Sequence, residues 1–263
     1  PTSMTTAPGL IQSAFTISQR GDFEGKTILQ RGISSTELAD VLGMPITDIE
    51  IAIQRNKQKL LTERNTRTAP ATDDKIVTSW NALTLRAFAL AGVVFGEERY
   101  ISAAEGLGKF LVENLYDNGR LYRAWKGGRS NLLGYLEDYS TSAIALLSLH
   151  EASFSHQWLA IAKSLTDEML TLFWDPERKL LFDVGTDHEQ LTVRPREVFD
   201  NAIPSGNSTA AELLLRMSKI TGDPSYRIIA TQLIESASNY FSVYSMGFGQ
   251  WLSTVELYLA KPM

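Results

Sequence analysis

Apolar positions recur along this chain at two densities. In GEERYISAAEGLGKFL, SHQWLAIAKSLTDEML and GDPSYRIIATQLIESA an aromatic comes first, Ala follows four residues on, Leu at seven and an apolar residue at eleven. The positions are Tyr100, Ala104, Leu107 and Leu111, then Trp158, Ala162, Leu165 and Met169, then Tyr226, Ala230, Leu233 and Ala237. These offsets keep to one face of an α-helix, so each segment predicts an amphipathic helix with one wet side. Each is preceded by a more uniformly apolar stretch, at 82–95, 140–154 and 209–220. A helix apolar on most sides must be buried on most sides. The pattern therefore predicts an inner buried helix, a short turn and an outer half-exposed helix, three times over residues 78–240.

The aromatic of the unit recurs after 58 and then 68 residues, longer than the ~34–47 of common two-helix solenoids. The excess lies in linkers that read as β-hairpins. LYDNGRLYRAW has a DNG turn between alternating residues. FWDPERKLLFDVGTDHEQLTVRP has a DPE turn, then LLFDV and a second candidate strand, LTVRP. Residues 1–33 read as a β-hairpin region around Gly21–Gly25. Residues 34–66 read as two leading helices, the first with Ser35 as a possible cap, the second an outer-type helix without its inner partner. A further apolar helix starts in 247–263. The expectation is a single all-α domain over 1–263, an (α/α) toroid of helix hairpins with short β-hairpins in the linkers, forming part of an (α/α)6 barrel.

Composition narrows the chemistry. The 263 residues are 44% hydrophobic with a formal net charge of −5 and no basic stripe, so nucleic acid is not an expected partner. No apolar run approaches the ~20 residues of a membrane span. The start, PTSMTTAPG, does not read as a signal peptide. There is no Cys, which excludes disulfides and thiolate metal sites within the chain. Only His150, His156 and His188 are present, which argues against a multi-histidine metal site. No cofactor, no metal and a cytoplasmic location are expected.

In a toroid of this kind all inner-helix N-termini lie at one end, where free backbone N–H groups favour polar ligands. Polar clusters fall at these three starts: ATDDKIVTSWN (71–81), GYLEDYST (134–141) and FDNAIPSGNST (199–209). Acids, amides and aromatics together point to a carbohydrate site, because carboxylates do acid–base work and aromatic faces stack on sugar rings. Asp74, Asp138 and Asp200 are the catalytic candidates, two of them as an acid–base pair within ~10 Å in one cavity. Asp73, Lys75, Trp80, Asn81, Glu137, Tyr139, Asn201, Ser205 and Asn207 are the candidate substrate-binding residues. Each has a structural alternative. Asp73 and Asp74 can complement a helix dipole. Asp138 can be an N-cap, and Trp80 and Tyr139 can be core. Ser205, or a Thr209–Glu212 capping box, accounts for the third helix start. Neither explains Asp200, Asn201 and Asn207 together. His188 sits in a linker within reach of the site. Arg194 and Arg196 either bind an anion or pair with Glu197 and Asp200.

RNTRTAPATDDKIVTSWNAL (64–83), LEDYS (136–140) and DNAIPSGNS (200–208) resemble signature segments of the thioredoxin-domain-containing family related to spermatogenesis-associated protein 20. GDFEGKTIL and QWLSTVELYL fit as well, so the resemblance runs from about residue 15 to the end. Ala82 departs from the pattern, which has Gly after Trp-Asn. The resemblance implies a thioredoxin-like domain followed by a six-hairpin barrel similar to N-acylglucosamine 2-epimerases and some glycosidases. This chain lacks the thioredoxin part and reads as a fragment or a shortened relative, so a thioredoxin-like domain, in cis or in trans, is an expected partner. Three functions stay open: hydrolase-like chemistry on a sugar, sugar epimerisation or isomerisation, and a non-catalytic sugar-binding or scaffold domain. His150, late in an inner helix, makes the second less favoured.

Overall fold

The structure is a computed structural model that describes residues 7–17, 20–190 and 192–260. The described chain divides into two compact units, residues 1–73 and 74–263.

In the first unit, α1 (Ala7–Ala14), α2 (Ser35–Leu42) and α3 (Ile46–Asn65) surround a small core of Leu10, Ala14, Leu38, Ile49 and Ile53. Residues 7–14 were expected in a hairpin region. They form a helix because Leu10 and Ala14, one turn apart, both reach that core. Strands β1 (Phe15–Thr16) and β2 (Gln30–Arg31) pair antiparallel, as expected around Gly21–Gly25. Helix α2 is capped by Ser34, not Ser35. The Ser34 hydroxyl accepts from the Glu37 amide at 3.2 Å while Glu37 accepts from the Ser34 amide at 3.0 Å, a reciprocal capping box.

The second unit consists mainly of three helix pairs. These are α4 (Thr78–Phe95) with α5 (Glu98–Phe110), α6 (Leu136–Ser153) with α7 (His156–Phe173), and α8 (Gly206–Thr221) with α9 (Pro224–Phe241). A fourth inner-type helix, α10 (Gly249–Leu259), follows. Each pair turns through a residue in the left-handed region, Gly96, Phe154 or Gly222, at the C-terminus of the inner helix. Helices α4, α6, α8 and α10 pack in that order. Helix α6 is buried around its whole circumference from Asp138 to Leu149, as its uniform apolarity predicts. The repeated outer positions face inward: Ala104, Ala162, Leu165, Met169, Ala230, Leu233 and Ala237 are all fully buried.

The linkers carry β-hairpins. Strands β4 (Tyr116–Asp117) and β5 (Arg120–Leu121) pair around Asn118 and Gly119, both at positive φ, the twist a two-residue hairpin turn requires. Strands β7 (Trp174–Asp175) and β8 (Leu180–Leu181) form the second hairpin. A further pairing joins β3 (Ile76–Val77), at the entry to α4, to β6 (Ala124–Trp125). The second candidate strand, LTVRP, is not a strand at 192–195, and Leu191 lies outside the described residues. Arg194 there donates to the carbonyls of Val184 and Leu172 in place of a ladder partner.

Candidate functional site

The inner-helix starts meet at one end through direct bonds. The Ser79 amide in α4 donates to the Asp138 carboxylate in α6 at 3.0 Å. Gly206, first in α8, packs on Leu136 and Glu137 so closely that a Cβ there would lie 2.9 Å from Leu136 and 3.0 Å from the Glu137 nitrogen. Asp200, before α8, accepts from the Gln250 and Trp251 amides of α10 at 2.9 and 3.2 Å.

Two sequence candidates hold this junction together. The Asp138 side chain is fully buried at the third position of α6. It accepts from the Tyr135 amide at 2.9 Å and from the Arg123 guanidinium. The N-cap of α6 is Tyr135, so Asp138 is not the N-cap residue. Burial pushes its carboxyl up to about 6, with the Arg123 guanidinium and the Tyr135 amide pulling the other way. The other oxygen of Asp200 accepts from the Ser205 amide at 2.9 Å and the Ser208 hydroxyl at 2.6 Å. Ser205 is the N-cap of α8, its hydroxyl accepting from the Ser208 amide at 3.1 Å. The Thr209–Glu212 box does not form. Glu212 instead bridges Arg86 and Arg216 and accepts from the Gln250 amide side chain.

A cavity of about 260 Å³ opens beside this junction, where α6 and α8 begin. Glu137, Asp183 and Glu197 line it together with Tyr135, Phe199, Asn201, Ile203 and Ser205. Of the sequence candidates, Glu137, Asn201 and Ser205 are brought to it. Glu137 pairs with Arg123. Asp183 and Glu197 were not singled out by sequence. Asp183 follows β8; its amide donates to the Pro195 carbonyl and its own carbonyl accepts from the Leu136 amide. Its carboxylate accepts from the Glu197 amide at 2.7 Å. Burial pushes the Asp183 carboxyl up to about 6, the charges of Glu197 and Glu137 adding to the rise. The positive ends of α6 and α8 make the spot tolerant of negative charge.

The remaining candidates lie elsewhere. Asp74 is exposed and pairs with Lys126 at 2.5 Å. Asp73 and Lys75 are exposed in the segment before β3. Trp80 is 60% exposed on α4, and Asn81 donates to the Val77 carbonyl at 2.9 Å. Tyr139 is core: it is fully buried, stacks edge-on against Phe173, and its hydroxyl accepts from the Leu121 amide. Asn207 is fully buried, and its amide donates to the carbonyls of Leu181 and Glu197, stitching hairpin and loop to α8. None of Asp74, Asp138 and Asp200 lines the cavity at the starts of α6 and α8. Asp138 and Asp200 are taken up by amide and guanidinium donors instead. Arg196 donates to the Ser236 hydroxyl at 3.0 Å. Among the described residues no three His, Cys, Asp or Glu side chains converge to hold a metal ion. No described helix is long and apolar enough to cross a membrane.

No family model matches the chain. It is 32% identical over 216 residues to spermatogenesis-associated protein 20 of Mus musculus, and 31% identical over 217 residues to that of Homo sapiens. Each match covers 77% of this chain and 27% of the relative, so the chain spans about a quarter of the length of these proteins. Its fold is similar to a family 76 α-mannanase of Bacteroides thetaiotaomicron, with a TM-score of 0.53 at 16% identity over 72% of this chain and 58% of that one. It is similar also to cellobiose 2-epimerase of Spirochaeta thermophila, with a TM-score of 0.53 at 19% identity over 64% and 43% of the two chains. Over the matched part of its length the chain is thus a homologue of spermatogenesis-associated protein 20, with a helix-hairpin fold similar to that of these two solved structures.

Proposed function

We propose that the second unit is a carbohydrate-active barrel whose acid cavity performs hydrolase-like chemistry on a sugar. Asp183 gives its proton to the departing glycosidic oxygen, and Glu197 takes a proton from the attacking water. Glu137, held by Arg123, and Asn201 orient the sugar hydroxyls. Asp138 and Asp200 position the helix starts, and this replaces the catalytic roles expected for them. One observation carries the reading: Asp183 and Glu197 line one cavity, tied together, with Asp183 partly buried and raised to about 6. Two carboxyls in one cavity, one of them raised by burial so that it can hold a proton to give, suit glycoside cleavage. The α-mannanase and the cellobiose 2-epimerase of similar fold act on sugars by their names, which supports the substrate class.

A non-catalytic sugar-binding or scaffold role, partnering a thioredoxin-like domain, is the second reading. It is favoured by the full engagement of Asp138 and Asp200 in holding the fold. Epimerisation is disfavoured. His150 is spent on the Ser155 carbonyl near the C-terminal end of α6, opposite the cavity.

A panel of aryl glycosides and oligosaccharides, assayed with the wild type, Asp183→Asn and Glu197→Gln, decides between the readings. Turnover in the wild type that falls about 10²–10⁴-fold in either variant supports acid–base catalysis. Sugar binding with no turnover in any of the three proteins overturns it in favour of the second reading.

A further inference from the structure

A second cavity, about 320 Å³, lies against the first. Tyr135 lines both, and the consecutive residues Asp183 and Val184 line one each. The Tyr135 ring is gripped from two directions. The Arg123 guanidinium lies 5.4 Å from its centroid, and the His188 imidazole stacks on it at 5.4 Å and 29°. Asn131, Leu133, Val184, His188 and Glu189 complete the second cavity's working surface.

We propose, building on the carbohydrate reading above, that the two cavities are adjoining subsites for a neutral saccharide of at least two rings, with Tyr135 as the shared wall. Three observations support it. First, the His188 side chain is only 12% exposed, with Nδ1 3.3 Å from the Asp187 carboxylate and Nε2 buried without a hydrogen-bond partner. Buried nitrogens are normally satisfied, and a sugar hydroxyl, which donates and accepts, suits Nε2 in either tautomer. Second, polar Asn131, His188 and Glu189 stand beside apolar Leu133 and Val184. A sugar ring needs that mixture, with hydroxyls at its edge and C–H groups on its faces. Third, the two linings carry five carboxyls and no Lys or Arg; Arg123 and Arg120 from outside the linings pair with Glu137 and Asp187, and Asp183, Glu197 and Glu189 keep the surface acidic. Uronic acids and sugar phosphates are thereby repelled. Gly185 makes the arrangement possible. A Cβ there would sit 2.7 Å from Asp187 Oδ1 and 3.0 Å from His188 Nδ1.

The test is calorimetric titration with glucose, mannose, cellobiose, mannobiose and digalacturonic acid. At least one neutral disaccharide is expected to bind about tenfold or more tightly than its monosaccharide, and digalacturonic acid not at all. His188→Phe keeps the stack on Tyr135 and removes both nitrogens. It is expected to weaken the disaccharide at least fivefold and leave the monosaccharide unchanged. Asn131→Ala, at an exposed position, is expected to act in the same direction. If a monosaccharide binds but no disaccharide binds more tightly, the two-subsite inference fails and the carbohydrate reading stands. It fails equally if both variants keep the disaccharide preference, or if the acidic sugar binds best. If no neutral sugar binds the wild type, the carbohydrate reading and the inference fall together.

Discussion

The backbone amide of Glu197 donates to the Asp183 carboxylate across 2.7 Å, so two acids lining one cavity are held side by side by a main-chain contact. Burial leaves Asp183 at about 6, against an ordinary value of 3.8. The folded state therefore holds this proton more tightly than the unfolded chain does. The associated stability is full below about pH 4 and is lost as the pH rises through 6. Asp183→Asn, whose side-chain oxygen can still accept from Glu197, should melt higher than the wild type at pH 7.5. The gap should close below pH 4, as followed by thermal unfolding across a pH series. A gap that is constant with pH contradicts the raised value.

Asp200 ties two helix starts with one carboxylate, accepting from Ser205 and Ser208 on one oxygen and from Gln250 and Trp251 on the other. Asp200→Ala strands donors at the entries of both α8 and α10 and is expected to cost about 2–4 kcal/mol. Asp200→Asn keeps one accepting oxygen and should fall between. Urea unfolding midpoints give the ranking, and equal losses in the two variants would refute the double role.

Arg123 faces Glu137 and the fully buried Asp138 at once. Arg123→Ala leaves a buried carboxylate without its counter-ion, a loss of about 3–5 kcal/mol. The destabilisation should ease at low pH, where Asp138 takes up a proton. Chemical unfolding of this variant at pH 7 and pH 4.5 measures the difference.

Gly206 lets the start of α8 touch the start of α6. Gly206→Ala drives a methyl group to within 2.9–3.1 Å of Leu136 and the Glu137 nitrogen. Overpacking of this kind costs about 1–3 kcal/mol. It also displaces Glu137, so weaker sugar binding should accompany the lower melting temperature. A substitution that raises stability would show that the contact yields.

Much of the fold is legible in the chain because helix burial is a periodic property. Leu165 and Met169 face inward at the spacing that predicted it, and α6 is buried all round because few of its residues are polar. The two-residue turn at Asn118–Gly119 is equally local, a matter of φ preference. Residues 7–14 misled because a short apolar segment carries no decisive period. Their helix depends on a core supplied by α2 and α3.

The site was legible only in part. The polar doorsteps of α6 and α8 name Glu137, Asn201 and Ser205, which line the candidate cavity. They could not show that Asp138 and Asp200 spend their oxygens on amides from other helices, 59 and 50 residues away in sequence. Nor could they single out Asp183 and Glu197, which sit in linkers with no periodic signature. Local spacing dictates which face of a helix is wet. Which carboxylate is left open to a ligand depends on donors that arrive from distant segments, and the packing of α4 on α6 and of α10 on α8 supplies them.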